Sequence, residues 1–260
     1  MFKAIASDLD GTLLLHGAQE LNPEIYDIIL EYKKKGVTFI AASGRQLDSQ
    51  KRLFAPVVND LIYICENGAL YHYNGETVVL TEINQEMVYK VIDEIGKIPG
   101  CKLLLSGASR CYVLSGDDAF FNHIAYEVGN TTQAVDSFRD IEEPIIKIAY
   151  LRDQNMDETV PLVRDMFSAD FKVTTSGNCW TDLVCHDCNK ANALRKVLSR
   201  IHIDPKDVIS FGDQQNDVEM LKLTGKSYVM AGGVPEAKAC ADALTDKVED
   251  TLLELLKNFK

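Results

Sequence analysis

Two carboxylates two residues apart, in Asp8-Leu9-Asp10-Gly11-Thr12, are the side chains of this sequence best suited to chemistry. They directly follow an apolar run, Phe2–Ser7. In open α/β sheets, ligands bind beyond the carboxyl ends of the strands. One acid of such a pair can stay ionised as a nucleophile or metal ligand while the other carries a proton. Gly11 lets a backbone N–H approach an anion. A lone Asp-Gly is usually only a turn, but five residues of this kind after a buried strand point to a site.

Three further positions offer matching chemistry. Ser43, in Ala41-Ala42-Ser43-Gly44-Arg45, follows a second apolar run. Its hydroxyl could serve a phosphate oxygen together with N–H groups of the next helix. The same geometry is equally explained as a plain N-cap. Lys190 opens an amphipathic helix whose apolar stripe is Leu194, Val197, Leu198 and Ile201. A cation in the first turn opposes the helix dipole, which points to an anionic ligand. A solvated surface lysine is the competing explanation, because screening makes that cost small. Lastly, Gly212-Asp213-Gln214-Gln215-Asn216-Asp217 puts Asp213 at a strand end and Asp217 four residues on, so both can face one point. Mg²⁺ takes one or two carboxylates, waters and a substrate phosphate. The helix dipole alone accounts for Asp217, but not for Asp213.

The elements that must position these groups are legible as alternating apolar runs and amphipathic stretches, the pattern of a parallel sheet covered by helices. The runs are Phe2–Ser7, Val37–Ala42, Leu61–Cys65, Val208–Phe211 and Ser227–Met230. A helix is expected with its cap near Asn22, Pro23 at its first position, and Gly36 as its stop. Another is expected from about Asn216 to Leu223. The middle reads differently: helix 85–97, strands 102–106 and 110–114, helix 119–128, strand 145–151, helix 156–167, and strands 171–175 and 180–184. Short turns such as Ser106-Gly107-Ala108-Ser109 imply antiparallel pairing there. The expected fold is α/β: a Rossmann-like, mostly parallel core from 1–82 and 187–260, with an α+β domain inserted over 83–186.

Composition narrows the function classes. With 260 residues, 46% hydrophobic and 25% charged, the chain can bury a sizeable core without disulfides or structural zinc. No apolar run approaches the roughly 18 residues that span a bilayer. Asp8 and Asp10 sit where a signal peptide would need its apolar centre. Asp and Glu number 39 against 27 Lys and Arg, a net −12, which makes nucleic acid and anionic membrane poor partners. A small phosphorylated substrate is still allowed, since a bound metal overrides net charge locally. Seven irregularly spaced cysteines and no export signal lead us to expect reduced thiols in a cytoplasm.

Taken in order, strand–Asp-Leu-Asp-Gly-Thr, strand–Ser-Gly-Arg, insertion, helix-start Lys and strand–Gly-Asp-Gln-Gln-Asn-Asp, the chain resembles the haloacid dehalogenase-like superfamily of phosphohydrolases. The subgroup it resembles is the Cof-type phosphatases, whose large α/β cap is inserted after the serine motif. Residues 11–42 are too few for a cap, whereas residues 44–189 have room for one. Glu66-Asn67-Gly68-Ala69 also resembles that family's pattern before the cap. The resemblance implies an Mg²⁺-dependent phosphatase of small phosphate monoesters, sugar phosphates first. Asp8 would attack phosphorus, and Asp10 would protonate the leaving alcohol and then deprotonate water. Gly11, Thr12, Ser43, Gly44, Lys190 and Asn216 would hold the phosphoryl oxygens. The metal would sit on the Asp8 carboxylate, the Asp10 carbonyl and the Asp213 carboxylate, with Asp217 in support. The chain departs from the pattern at Asp187 and Ala191, where glycines are usual, and at Gly232, where asparagine is usual.

Other signals weigh less. Cys185-His186-Asp187-Cys188 lacks the second ligand pair that structural zinc needs. Trp180 reads as core rather than as a ligand platform. His72 and His123 read as packed or surface residues, and Lys33-Lys34-Lys35 as a helix C-terminus. Two rivals stand beside a phosphatase: a phosphotransferase resembling phosphomannomutase, and a non-catalytic phospholigand-binding module. The sequence leaves the oligomeric state and the particular ester open.

Overall fold

The computed structural model describes residues 1–152, 156–176 and 180–259. The chain divides into two compact units, Met1–Val78 with Asn189–Lys260, and Val79–Cys188.

The first unit begins with β1 (Ala4–Ser7), α1 (Glu24–Lys34), β2 (Thr38–Ala42), α2 (Leu47–Leu53) and β3 (Leu61–Cys65). The hairpin β4 (Leu70–Tyr73) and β5 (Glu76–Val79) follows. It turns on Asn74 and Gly75, both at positive φ (50° and 80°), as a two-residue hairpin loop requires. The expected helix starts one residue late: Pro23 sits at the cap position, and the Asn22 side chain accepts the Glu24 N–H.

The second unit contains α3 (Gln85–Ile95), β6 (Lys102–Gly107), β7 (Cys111–Leu114), α4 (Asp118–Asn122) and β8 (Thr132–Val135). It continues with β9 (Ile145–Leu151), α5 (Met156–Phe167), β10 (Lys172–Ser176) and β11 (Trp180–Val184). Its sheet runs β10-β11-β9-β6-β7-β8, antiparallel except where β8 joins β7 in parallel. Strand alternation sends neighbours to opposite faces. Leu105 joins Val88, Val91 and Ile95 of α3 and Val163 and Phe167 of α5, while Leu104 joins Phe120 and Ile124 on the other face. The helix expected over 119–128 is interrupted: α4 ends at Asn122 and a π-helical turn covers His123–Glu127.

The chain then completes the first unit with α6 (Lys190–Arg200), β12 (Val208–Gly212), α7 (Val218–Leu223), β13 (Lys226–Met230), α8 (Pro235–Lys238), β14 (Ala243–Thr245) and α9 (Val248–Lys257). The eight-stranded sheet runs β14-β13-β12-β1-β2-β3-β4-β5. From β14 to β3 every pairing is parallel, and β4 is antiparallel to β3. Strands β1, β3 and β12 are buried along their whole length, as parallel strands covered on both faces must be. The Tyr32 hydroxyl of α1 donates to the Leu252 carbonyl of α9 at 2.7 Å. The expected α/β class, a mostly parallel sheet accompanied by an α+β segment, is therefore present. Strand β1 lies between β12 and β2, so the carboxyl ends of all three, which lead into Asp8, Asp213 and Ser43, fall on one edge.

Among the described residues, no helix is long and apolar enough to cross a membrane. Among the described residues the six cysteines form no disulfide, and Cys179 lies outside the described residues.

Candidate active site

Asp8 continues the ladder beyond β1, its N–H donating to the Phe211 carbonyl at 3.0 Å. The chain then folds tightly: Thr12 N–H and Leu14 N–H both donate to Leu9 O, and Gly11 N–H donates to Leu14 O at 2.9 Å. Gly11 N–H is thus already bonded within the turn. What the glycine supplies is space, because a Cβ built there would lie 2.2 Å from Asp213 Oδ2. Its φ of +88° also favours glycine. The Thr12 hydroxyl donates to Asp213 Oδ1 at 3.1 Å. Gln214 Nε2 donates to Asp213 Oδ2 at 2.9 Å, so both Asp213 oxygens are oriented.

Lys190 is no surface lysine. It is 1% exposed, and its Nζ lies 2.5 Å from Asp8 Oδ1 and 2.7 Å from Asp217 Oδ1. Asn189 caps its helix by accepting the Asn192 N–H at 2.7 Å. Asp217 Oδ2 accepts the backbone N–H groups of Asp213 and Gln214, both at 3.0 Å. These bonds shape the segment into a 3₁₀ turn, Gln215–Asp217, before α7, where an α-helix from Asn216 was expected. Gly212 leaves the room this needs, since a Cβ there would lie 2.6 Å from that of Asp217.

Ser43 is fully buried, and its Oγ accepts the Arg45 N–H at 3.1 Å. Helix α2 begins only at Leu47, with Gln46 at its cap position, so the plain N-cap explanation of Ser43 does not hold. Asp10, by contrast, faces outward with its side chain 54% exposed. Arg45 grips its carboxylate with a fork, Nη2 to Oδ1 at 2.6 Å and Nε to Oδ2 at 2.9 Å. Asn216 donates from Nδ2 to Asn67 Oδ1 at 3.0 Å. Asn67 in turn lies against Gly44, whose built Cβ would be 3.1 Å from its Nδ2.

The electrostatics are those of a buried acid cluster around one ammonium. Burial pushes the Asp8 carboxyl up to about 8; Lys190 opposes this, while Asp217 and Asp213 add to it. Burial also works against the charge on Lys190, but Asp217 and Asp8 together outweigh it and hold the ammonium above the ordinary lysine range. The Asp213 carboxyl is raised, chiefly by burial. The bond to Asp10 is the main cause that raises the Arg45 guanidinium. Three carboxyl groups crowd around one lysine, and a bound cation would offset the burial that works against their ionised form. Ligand oxygens of Asp8, Asp213 and Asp217 lie within 4.8 Å of one another, and no other such group occurs among the described residues. An all-oxygen donor set fits Mg²⁺. The Asp217 oxygens are already engaged by Lys190 and two N–H groups, so Asp8 and Asp213 are the carboxylates suited to hold an ion and Asp217 the one suited to orient it.

Among the discounted signals, Trp180 is half-buried and stacks on Phe120 and His123, at 6.3 and 6.5 Å between ring centroids. His72 pairs with Thr77 across the β4–β5 hairpin. Sequence reasoning gave no role to Arg45, Asn67 or Gln214. Arg45 lies inside the quoted Ala41–Arg45 segment, and Asn67 inside the quoted Glu66–Ala69 segment. Their partners Asp10 and Asn216 are distant in sequence, so no local pattern marks the contacts.

A family model described as haloacid dehalogenase-like hydrolase matches residues 5–252. The 5-amino-6-(5-phospho-D-ribitylamino)uracil phosphatase YbjI of Escherichia coli is 28% identical over 88% of this chain and 84% of its own. The HMP-PP phosphatase of Cronobacter sakazakii is 25% identical, over 90% and 86%. A crystal structure of a protein from Eubacterium rectale superposes with a TM-score of 0.88 at 26% identity, covering 100% of this chain and 99% of that one. The HAD subclass IIB sugar phosphatase BT4131 shares the fold, with a TM-score of 0.80 at 20% identity over 97% and 98% of the two chains. With the family match running through the strands that carry Asp8, Ser43 and Asp213 and through the segment between them, this chain belongs to the haloacid dehalogenase-like hydrolases.

Proposed function

We propose that this protein is an Mg²⁺-dependent phosphatase that hydrolyses small phosphate monoesters through an aspartyl phosphate on Asp8. The observation that carries the reading is the buried Asp8 carboxylate, bonded to Lys190 and close to Asp213 at the ends of two adjacent strands. Phosphatase relatives and the family match support the class of reaction.

Phosphoryl transfer depends mostly on positioning and charge neutralisation. In the proposed first step an Asp8 carboxylate oxygen bonds to phosphorus as the ester P–O bond breaks. The departing alkoxide takes the proton of the Asp10 carboxyl group, which carries it on an oxygen released from the Arg45 fork. In the second step water attacks phosphorus, Asp10 takes its proton, and the Asp8–phosphorus bond breaks to release inorganic phosphate. Ser43, Lys190 and Asn216 are the groups assigned to the phosphoryl oxygens. Asp8, Asp213 and the Asp10 carbonyl would hold Mg²⁺, which supplies charge neutralisation at the phosphoryl group.

Every residue so far assigned lies in the unit formed by Met1–Val78 and Asn189–Lys260. To the inserted unit, Val79–Cys188, we assign the choice of leaving group, the role of a cap domain. Sugar phosphates are the first substrates to try, consistent with the sugar phosphatase that shares the fold. Described cysteines that form no disulfide suit a reducing compartment such as the cytoplasm.

The test is phosphate release from a broad panel of phosphorylated metabolites with Mg²⁺ and water as the only acceptor. Turnover supports a phosphatase. Release that needs a second alcohol acceptor supports the phosphotransferase instead. Binding of phosphate esters with no release under either condition supports a ligand-binding module.

A further inference from the structure

Three consecutive residues after β3 adopt left-handed backbone: Glu66, Asn67 and Gly68, with φ of 50°, 57° and 103°. Glutamate gains nothing from that conformation, asparagine tolerates it, and such runs persist where the surroundings hold them in place. Here the surroundings are three separate parts of the site. Asn67 N–H donates to Ser43 O at 3.0 Å, and Glu66 N–H donates to Arg45 O at 3.2 Å, so two N–H groups grip the loop that carries Ser43. The Gln50 side chain, fully buried, adds a bond to the same Arg45 carbonyl at 3.2 Å. A Cβ on Gly68 would lie 2.3 Å from Asn189 O, so this glycine lets the segment press on the residue before Lys190. The Asn67 side chain reaches the third part, accepting from Asn216 Nδ2 at 3.0 Å while packing on Gly44.

We propose that Asn67 is a positioning residue of the phosphate site, its carboxamide oxygen fixing the orientation of Asn216 while its backbone anchors the Ser43 loop. This rests on the phosphatase reading above and adds a residue to it. The segment bearing Asn67 touches the serine loop, the lysine helix and the Asp213–Asp217 turn at once. A change at Asn67 therefore alters the relative placement of groups supplied by different motifs. Asn216 is exposed, so without this partner its carboxamide would sample other rotamers.

Two substitutions separate the side chain from the backbone. Asn67→Gly deletes the carboxamide and keeps the left-handed backbone relaxed, whereas Asn67→Ala deletes the same group and strains it. Each is assayed with p-nitrophenyl phosphate and Mg²⁺, alongside its thermal midpoint. Both should lose about tenfold in kcat, the scale of one hydrogen bond, with KM changed less. Only Asn67→Ala should lower the midpoint. In an Asn216→Ala background, Asn67→Gly should cost less than about twofold, since the partner it orients is gone. An unchanged kcat in Asn67→Gly, or its full loss repeated in the Asn216→Ala background, overturns the proposal and leaves the phosphatase reading standing. A wild-type protein that releases phosphate from neither this ester nor the metabolite panel overturns that reading, and the proposal with it.

Discussion

Lys190 Nζ sits 2.5 Å from Asp8 Oδ1, although 182 positions separate the two in sequence. The contact brings a helix start and a strand end together in a buried place, where Asp217 is the second partner of the ammonium. Removing one member of such a cluster leaves the others buried and unpaired. Lys190→Met should destabilise the metal-free protein by about 3–5 kcal/mol. Asp217→Asn in the Lys190→Met background should recover part of that loss by deleting an unpaired charge. Urea unfolding in EDTA measures both; additive losses would contradict the coupling.

Gly11 is predicted to be intolerant of any side chain for a reason that concerns the metal site. The methyl of Gly11→Ala would displace the Asp213 carboxylate, whose Oδ2 is 2.2 Å from the built Cβ. Gly17 also has positive φ, +75°, but nothing lies within 4 Å of its built Cβ, so Gly17→Ala carries the backbone cost alone. Mg²⁺ titration of phosphate release should show a weakened metal requirement curve for Gly11→Ala, with half-saturation shifted up at least about tenfold. The curve for Gly17→Ala should match wild type. Equal Mg²⁺ curves for all three proteins would refute this role of Gly11.

Arg45 bears on Asp10 and leaves Asp8 to Lys190. If Asp10 donates the proton to the leaving group, then Arg45→Ala should slow alkyl phosphates more than p-nitrophenyl phosphate, whose leaving group needs little protonation. General acid catalysis contributes about 10²–10⁴-fold in total. A misplaced acid should forfeit at least about tenfold of that on the alkyl ester. The ratio of kcat/KM for the two substrates is the measurement, and a ratio equal to that of wild type would remove Arg45 from the proton-transfer step.

The raised Asp8 carboxyl has a consequence for stability. In the metal-free native state Asp8 titrates at about 8 against an ordinary value of 3.8. Between these values the native state holds a proton that the unfolded state has lost. Asp8 therefore makes stability fall as pH rises through that window. Below it the residue is protonated in both states and contributes no slope. Asp8→Asn, which carries no charge at any of these pH values, should be more stable than wild type in EDTA. That advantage should widen from pH 5 to pH 8. A gap that stays constant or narrows across that range would show that Asp8 is not held protonated by its burial.

Much of this site can be read from local pattern. The apolar runs that became β1, β2 and β12 end at the residues that matter, so Asp8, Ser43 and Asp213 could be set at strand ends from the sequence alone. Lys190 could be placed at a helix start, but its burial could not. Whether that lysine is solvated or sealed depends on Asp8 and Asp217 arriving from elsewhere in the chain. The same limit hides the Arg45–Asp10 fork and the Asn67–Asn216 bond, which are products of tertiary closure. The β4–β5 hairpin is different. Its Asn74-Gly75 turn is a strong local signal, but Leu70–Tyr73 and Glu76–Val79 flank it without clean alternation of buried and exposed residues. The three-residue β14 carries too few side chains to show any period.

In the proposed mechanism Asp8 carries the phosphoryl group. The direct measurement is an acid quench of enzyme and ³²P-labelled substrate within one turnover, followed by denaturing electrophoresis and peptide mapping. Label is expected on the wild-type protein, confined to the peptide containing Asp8 and released by hydroxylamine as an acyl phosphate is. No label is expected on Asp8→Asn. An active wild type that is never labelled under such quenching, or an Asp8→Asn protein that still turns over, would rule out covalent catalysis through Asp8.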